Sequence, residues 1–203
     1  MKLYTCSRAP NPRRVNIFMA EKGIDIPRIE LDIMALEHKT PEFAAINPIQ
    51  RLPVLELDDG THISESVAIC RFLEELHPEP PLFGTTALER ALVDMWQRRL
   101  DLNFLAAIAH AFRHVHPAMA PLEQPQIREW GEANRPKVLE FLGLMDRELA
   151  EREFVAGDRF TIADISMLVA VDFMKVARLA VPTDCAHVRR WHGTVSARPS
   201  AAA

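Results

Sequence analysis

Apolar and polar positions alternate in blocks along this chain, and the blocks predict two kinds of architecture. Residues 2–6, with the short apolar run Leu3-Tyr4, suit a short strand. Pro12 suits a first helical turn, where a missing N–H costs nothing. Val15, Ile17, Phe18 and Ala20 then supply an apolar helix face, and Gly23 stops it. From Ile26 to Ile33 apolar positions alternate with Arg28, Glu30 and Asp32, which predicts a strand. Pro41-Glu42-Phe43 starts a short helix that ends near Asn47-Pro48. Leu52 to Leu57 reads as a strand, Asp58-Asp59-Gly60 as a hairpin turn and Thr61 to Ile63 as its partner. Ser66 to Leu76 is a helix whose buried side is Val67, Ile69, Cys70, Phe72, Leu73 and Leu76. The order is βαβ, then αββα.

Prolines cluster at His77-Pro78-Glu79-Pro80-Pro81, which reads as a linker. Beyond Thr86 every long segment is helical: 87–116 as one helix or two, 125–150, Thr161 to Leu179 and Cys185 to Ser196. A small α/β domain (1–77), a linker (78–85) and a larger all-helical domain (86–203) follow from this. Thr161-Ile162-Ala163-Asp164 has the pattern of a capping box, with Phe160 and Ile165 placed for a hydrophobic staple. A structural cap accounts for all of these residues.

Composition narrows the function classes. The 203 residues are 48% hydrophobic and 26% charged, as in a globular protein. A net charge of −4 argues against nucleic acid as a partner. No apolar run approaches the ~20 residues of a membrane span, and the N-terminus lacks the apolar core of a secretory signal. Cys6, Cys70 and Cys185 are few, odd in number and far apart, which fits a reducing cytoplasm.

Three stretches carry candidate chemistry. At Leu52-Pro53 a cis bond would turn the backbone of Leu52 toward an extended ligand; an ordinary trans proline is the alternative, and cis makes up only ~5–6% of such bonds. Glu65-Ser66 precedes a helix, where N–H groups and a hydroxyl suit a carboxylate and Glu65 suits an ammonium. That pair matches an α-amino acid end; an N-cap serine beside a solvated glutamate is the alternative. His38 and Lys39 offer charge-assisted hydrogen bonds to a second carboxylate, or form a plain polar loop.

Taken in order and spacing, these segments resemble the cytosolic glutathione S-transferases over nearly the whole chain. "LYTCSRAPNPRRVNIFMAEKGI" (3–24) is similar to the family's first strand and helix. "EHKTPEFAAINPIQRLPVLEL" (37–57) resembles the phi- and theta-class segment with the cis-proline, "DDGTHISESVAICRFLEE" (58–75) the Glu-Ser motif, and "VAGDRFTIADIS" (155–166) the helical-domain cap. The resemblance implies a thioredoxin-like α/β N-terminal domain and an all-α C-terminal domain. It implies that Glu65 and Ser66 hold the γ-glutamyl end of glutathione and that Leu52 pairs with the cysteinyl unit in front of cis-Pro53. His38, Lys39 and Arg51 would approach the glycine carboxylate or the adjacent backbone. Glutathione is then the co-substrate, its thiolate attacking a small hydrophobic electrophile.

One stretch departs from the family. In "SRAPNPRRV" (7–15) the serine of theta, phi and delta enzymes is replaced by Ala9, and the cysteine of beta enzymes by Pro10. The nearest pattern is the nu-like Thr-Pro-Asn. Asn11 is therefore the expected thiolate donor, with Ser7 second. An amide cannot accept the thiol proton, so water or glutathione itself must. Phe104, Ile108 and Phe112 are expected to line the second-substrate pocket. His110, His114 and His116 lack an HExxH pattern, and no metal is expected. Arg8, Arg13 and Arg14 read as solvated surface or as partners for acidic residues across a dimer. A homodimer is the implied assembly. Glutathione-dependent disulfide reduction or peroxidase activity is the alternative chemistry, and a non-catalytic binding module the alternative class.

Overall fold

The computed structural model describes residues 1–203, which divide into two compact units. Met1–Leu82 together with Pro199–Ala203 form the first, and Phe83–Arg198 the second. The first unit runs β1 (Lys2–Thr5), α1 (Pro10–Lys22), β2 (Arg28–Glu30), α2 (Pro41–Ile46), β3 (Val54–Glu56), β4 (His62–Ser64) and α3 (Ser66–Leu76). Its sheet has the order β2-β1-β3-β4, with β1 and β2 parallel and the other pairs antiparallel.

Register decides what each face buries. Leu3 pairs with Leu55 and Tyr4 with Val54, and paired residues share a face while neighbours alternate. Tyr4 and Val54 meet Phe43 of α2, the Tyr4 and Phe43 rings lying edge to face at 6.0 Å. Leu31, Ile46 and Leu52 pack around that cluster. Leu3 and Leu55 are fully buried, and α1 packs against α3, which contacts β3 and β4.

Three boundaries differ from those expected of the sequence. The alternation from Ile26 to Ile33 yields a strand at Arg28–Glu30 only, exposed throughout. Beyond it Asp32 accepts from the backbone N–H of Met34 and Ala35 and bends the chain into a turn. Residues 199–203 belong to the first unit, not to the helical one. Arg13 Nη2 donates to the Ala201 carbonyl at 3.0 Å and Ser200 is bonded to Glu21, so this segment lies on α1. The proline-rich stretch also stays with the first unit up to Leu82. Lys22 Nζ donates to the carbonyls of His77 (2.6 Å) and Pro80 (2.7 Å) and pairs with Glu74 at 2.7 Å.

The second unit contains α4 (Ala87–Arg99), a π-helical segment (Leu100–Leu105), α5 (Ala106–Arg113), α6 (Arg128–Ala150), α7 (Ile162–Phe173) and α8 (Ala186–Ser196). Every residue of α7 from Ile162 to Val171 is buried, as expected of a helix apolar on all sides. Its start is closed by Asp164, whose carboxylate accepts from the N–H of Val155 (2.9 Å), the N–H and hydroxyl of Thr161 (2.9 and 3.2 Å) and Trp191 Nε1 (2.9 Å). Phe160, expected as a staple, packs edge to face on Phe154 and beneath the Arg198 guanidinium. A second capping box starts α4: Thr86 Oγ1 accepts from Glu89 N, and Glu89 accepts from the N–H of both Thr85 and Thr86.

Candidate active site

The first turn of α1 has an unusual donor inventory. Ala9 is extended (φ −103°, ψ 142°) and carries no capping side chain. Pro10 and Pro12 have no N–H. The Ala9 N–H returns to Cys6 O and the Arg13 N–H to Ala9 O, both at 3.2 Å. Asn11 therefore supplies the only N–H of the first turn that points away from the helix, on an exposed residue at the positive end of the helix dipole.

Arg14, one turn on, is not surface: it is 2% exposed. Its Nη1 donates to Asn11 Oδ1 at 3.3 Å and to Ser66 Oγ at 2.7 Å. Ser66 is thus the first residue of α3 with its hydroxyl on Arg14, not a capping serine. The residue before it, Glu65, is exposed and holds φ 69°, ψ 114°. A non-glycine residue at positive φ costs of order 1–3 kcal/mol and persists only where its surroundings hold it, as at ligand clamps. Ser7 is exposed with its N–H on Glu30 Oε1 at 2.6 Å.

The stretch 38–53 completes the site. His38 is buried within a 3-10 turn, Glu37–Lys39, and Lys39 Nζ donates to Gln50 O at 3.3 Å. Asn47, also buried, shapes the loop that follows: its Nδ2 donates to Arg51 O and its Oδ1 accepts from Ile49 N. Gln50, at φ 52°, donates from Nε2 to Thr40 O. Arg51 is exposed. The Leu52–Pro53 bond is cis. The Leu52 side chain packs in the Tyr4 cluster, and its N–H and C=O carry no internal hydrogen bond, so they are available to an extended peptide. Asn11, Ser66, Glu65, Leu52 and the 38–51 loop all lie within the first unit.

Residues 9–76 match the family model described as Glutathione S-transferase, N-terminal domain, and residues 113–199 match Glutathione S-transferase, C-terminal domain. Glutathione S-transferase 2 of Saccharomyces cerevisiae is 37% identical over 98% of this chain and 87% of its own length. A glutathione S-transferase domain-containing protein of Marinobacter aquaeolei superposes with a TM-score of 0.95 at 37% identity, covering 98% of this chain and 99% of that one. The crystal structure of Gtt2 from Saccharomyces cerevisiae gives 0.94 at 37% identity, covering 98% of each. The chain belongs to the glutathione S-transferase family. The thioredoxin-like and helical halves expected from its sequence are those of this fold, and the protein is a glutathione S-transferase.

The helical unit of the transferase alters the reading of its second-substrate residues. Phe104 and Ile108 are fully buried, Phe104 stacked on Phe141 at 5.1 Å, so their helical spacing reports core packing. Phe112 is half-buried, edge to face with Phe173, and alone of the three keeps an accessible surface. His116 packs on the Phe112 ring, centroids 5.1 Å apart, and His110 lies against His114 and Trp130. His114 Nδ1 accepts from Ile127 N and His116 Nδ1 from Ala118 N. Burial holds the His110 pKa below the usual imidazole value, and the neighbouring His114 adds to this. Gly131 lets α6 approach α5 here: a Cβ would sit 2.6 Å from Val115 Cγ2. Asp172, His192 and Ser196 also cluster, but both partners bond His192 Nε2, so a proton relay through the two ring nitrogens is not built.

Three positions of the candidate site differ from what the sequence led one to expect: Arg14, expected at the surface, and Asn47 and Gln50, which carried no expectation. Arg14 had a signal. Asn11, Arg14, Val15 and Phe18 form one helical stripe, and a charge within the stripe that buries Val15 and Phe18 must find an internal partner.

Proposed function

We propose that this transferase binds glutathione along its first unit and ionises the thiol against Asn11, for attack on small hydrophobic electrophiles. The γ-glutamyl carboxylate would take the Ser66 hydroxyl and the start of α3, with Glu65 on the amine. The cysteinyl backbone would pair with the N–H and C=O of Leu52 beside Pro53. His38, Lys39 and Arg51 are proposed for the glycine end. Asn11 is favoured over Ser7 by one observation: its N–H is the single outward donor of the α1 first turn. Its side-chain amide adds a second donor. Neither accepts a proton, so solvent carries the thiol proton away.

Phe112 is the proposed aromatic contact for the electrophile. Leu88 and Leu92, one turn apart on α4 and 70% and 37% exposed, favour a homodimer through that face. All three cysteines are free and buried, which fits the reducing cytoplasm, and detoxification of such electrophiles is the proposed role. No helix is long and apolar enough to cross a membrane.

The test is a thiolate absorbance titration of bound glutathione against pH. A free thiol has a pKa of about 8.5, and the bound value should lie below it. Asn11→Ala should raise the bound value. A bound thiol no more acidic than the free one would end the thiolate reading.

A further inference from the structure

We infer that Arg14 is a positioning residue that ties the thiolate end of the glutathione site to its γ-glutamyl end. The inference rests on the proposed roles of Asn11 and Ser66. A guanidinium has five donors and no acceptor. One nitrogen, Nη1, has two hydrogens, and it has two acceptors here: Ser66 Oγ at 2.7 Å and Asn11 Oδ1 at 3.3 Å.

Each bond fixes a donor on the far side. Because Arg14 can only donate, the oxygen of the Asn11 amide must face it, and the amide NH₂ is turned the other way. That settles an amide orientation which side-chain shape alone leaves ambiguous. Because Ser66 Oγ accepts from Arg14, its own proton is released to donate outward. Arg14 thus converts two side chains of mixed donor and acceptor character into donors, one suited to a thiolate and one to a carboxylate. Its burial holds the fork in place, since a guanidinium 2% exposed has no solvent to turn toward. Arg14 touches neither reacting atom; it acts through the two residues that do.

Arg14→Met and Arg14→Lys, read beside Asn11→Ala and Ser66→Ala, test this in the full-length protein. The readouts are the bound-thiol pKa at saturating glutathione, KM for glutathione, and the affinity for S-methylglutathione, which has no ionisable thiol. Arg14→Met should raise the bound-thiol pKa by about one unit, roughly a tenfold loss of thiolate below that pKa, and should also weaken S-methylglutathione. Asn11→Ala should move only the thiol pKa, and Ser66→Ala chiefly the S-methylglutathione affinity. Arg14→Lys keeps the charge without the fork and should restore part of each loss. A folded Arg14→Met with both readouts unchanged would overturn the tie. If Asn11→Ala leaves the thiol pKa untouched, it is the role of the Asn11 side-chain amide that fails, the backbone N–H being retained, whatever Arg14 does. Should Arg14→Met not fold, the Asn11→Ala/Ser66→Ala double variant decides: non-additive effects support a shared arginine, and strictly additive ones overturn it.

Discussion

The starts of α1 and α7 are opposite solutions to one problem, the unpaired N–H groups at a helix N-terminus. At α7 the chain satisfies them internally, with Thr161 and Asp164 bonded reciprocally and Asp164 also gathering Val155 and Trp191. At α1 the chain removes two donors with proline, provides no cap, and leaves Asn11 facing outward. A closed helix start is a structural joint, and an open one in an ordered fold is a place for a ligand anion.

The sharpest way to break this contrast is Asp164→Ala. It strands buried N–H groups of Val155, Thr161 and Trp191, and should cost about 3–5 kcal/mol, lowering Tm by on the order of 10 °C. Calorimetry would show it, and a loss below 1 kcal/mol would deny the cap its role. Asn11→Ala should do the reverse. Stability should stay within about 0.5 kcal/mol of the parent, while the bound-thiol pKa rises and turnover near neutral pH falls by roughly tenfold.

Ala9→Asp would make α1 resemble α7. Its carboxylate can accept only from Asn11, because the next first-turn position is proline. The helix should gain about 1 kcal/mol as the thiol loses its donor, so urea midpoint and thiol pKa should both rise. A rise in stability with an unchanged thiol pKa would remove the Asn11 N–H from the mechanism.

The smallest effects separate two closed caps by pH. Burial pushes the Asp164 carboxyl up to about 6, so the native state keeps a proton that the unfolded chain releases at about pH 4. That group makes stability fall as pH rises between these values. Glu89 is the opposite: bonds from Thr85 and Thr86 lower its pKa to about 2. Its contribution is present above the unfolded carboxylate value and is lost as pH falls toward 2. Glu89→Gln should flatten the acid limb of the urea-midpoint profile; an unchanged limb would assign the acid sensitivity elsewhere.

Local signals were legible where one element satisfies itself. The α3 limits, Ser66 to Leu76, and the stop at Gly23, which adopts φ 63°, are those read from the sequence. The α7 cap was legible for the same reason, because its partners lie three residues apart. Illegible features depend on distant partners. The strand at 28–30 is short because only those positions pair with β1, and alternation cannot report pairing. Arg14 read as surface because its acceptor Ser66 lies 52 positions away in the chain. Phe104 and Ile108 read as pocket because a stripe facing a neighbouring helix has the same period as one facing a cavity. The candidate site was legible as residue types at Leu52, Glu65 and Ser66, while the orientation of Asn11 was not.

Residues 199–203 lie on α1 through Arg13 and Glu21, and this has a bearing on synthesis. A chain made from its N-terminus folds its leading domain first, yet here the helix that carries Asn11 receives one of its supports from residues translated nearly two hundred codons later. In a ribosome-bound chain the helix that carries Asn11 is therefore unfinished until those residues emerge, and Arg13 waits for a carbonyl that lies 188 positions further along the chain.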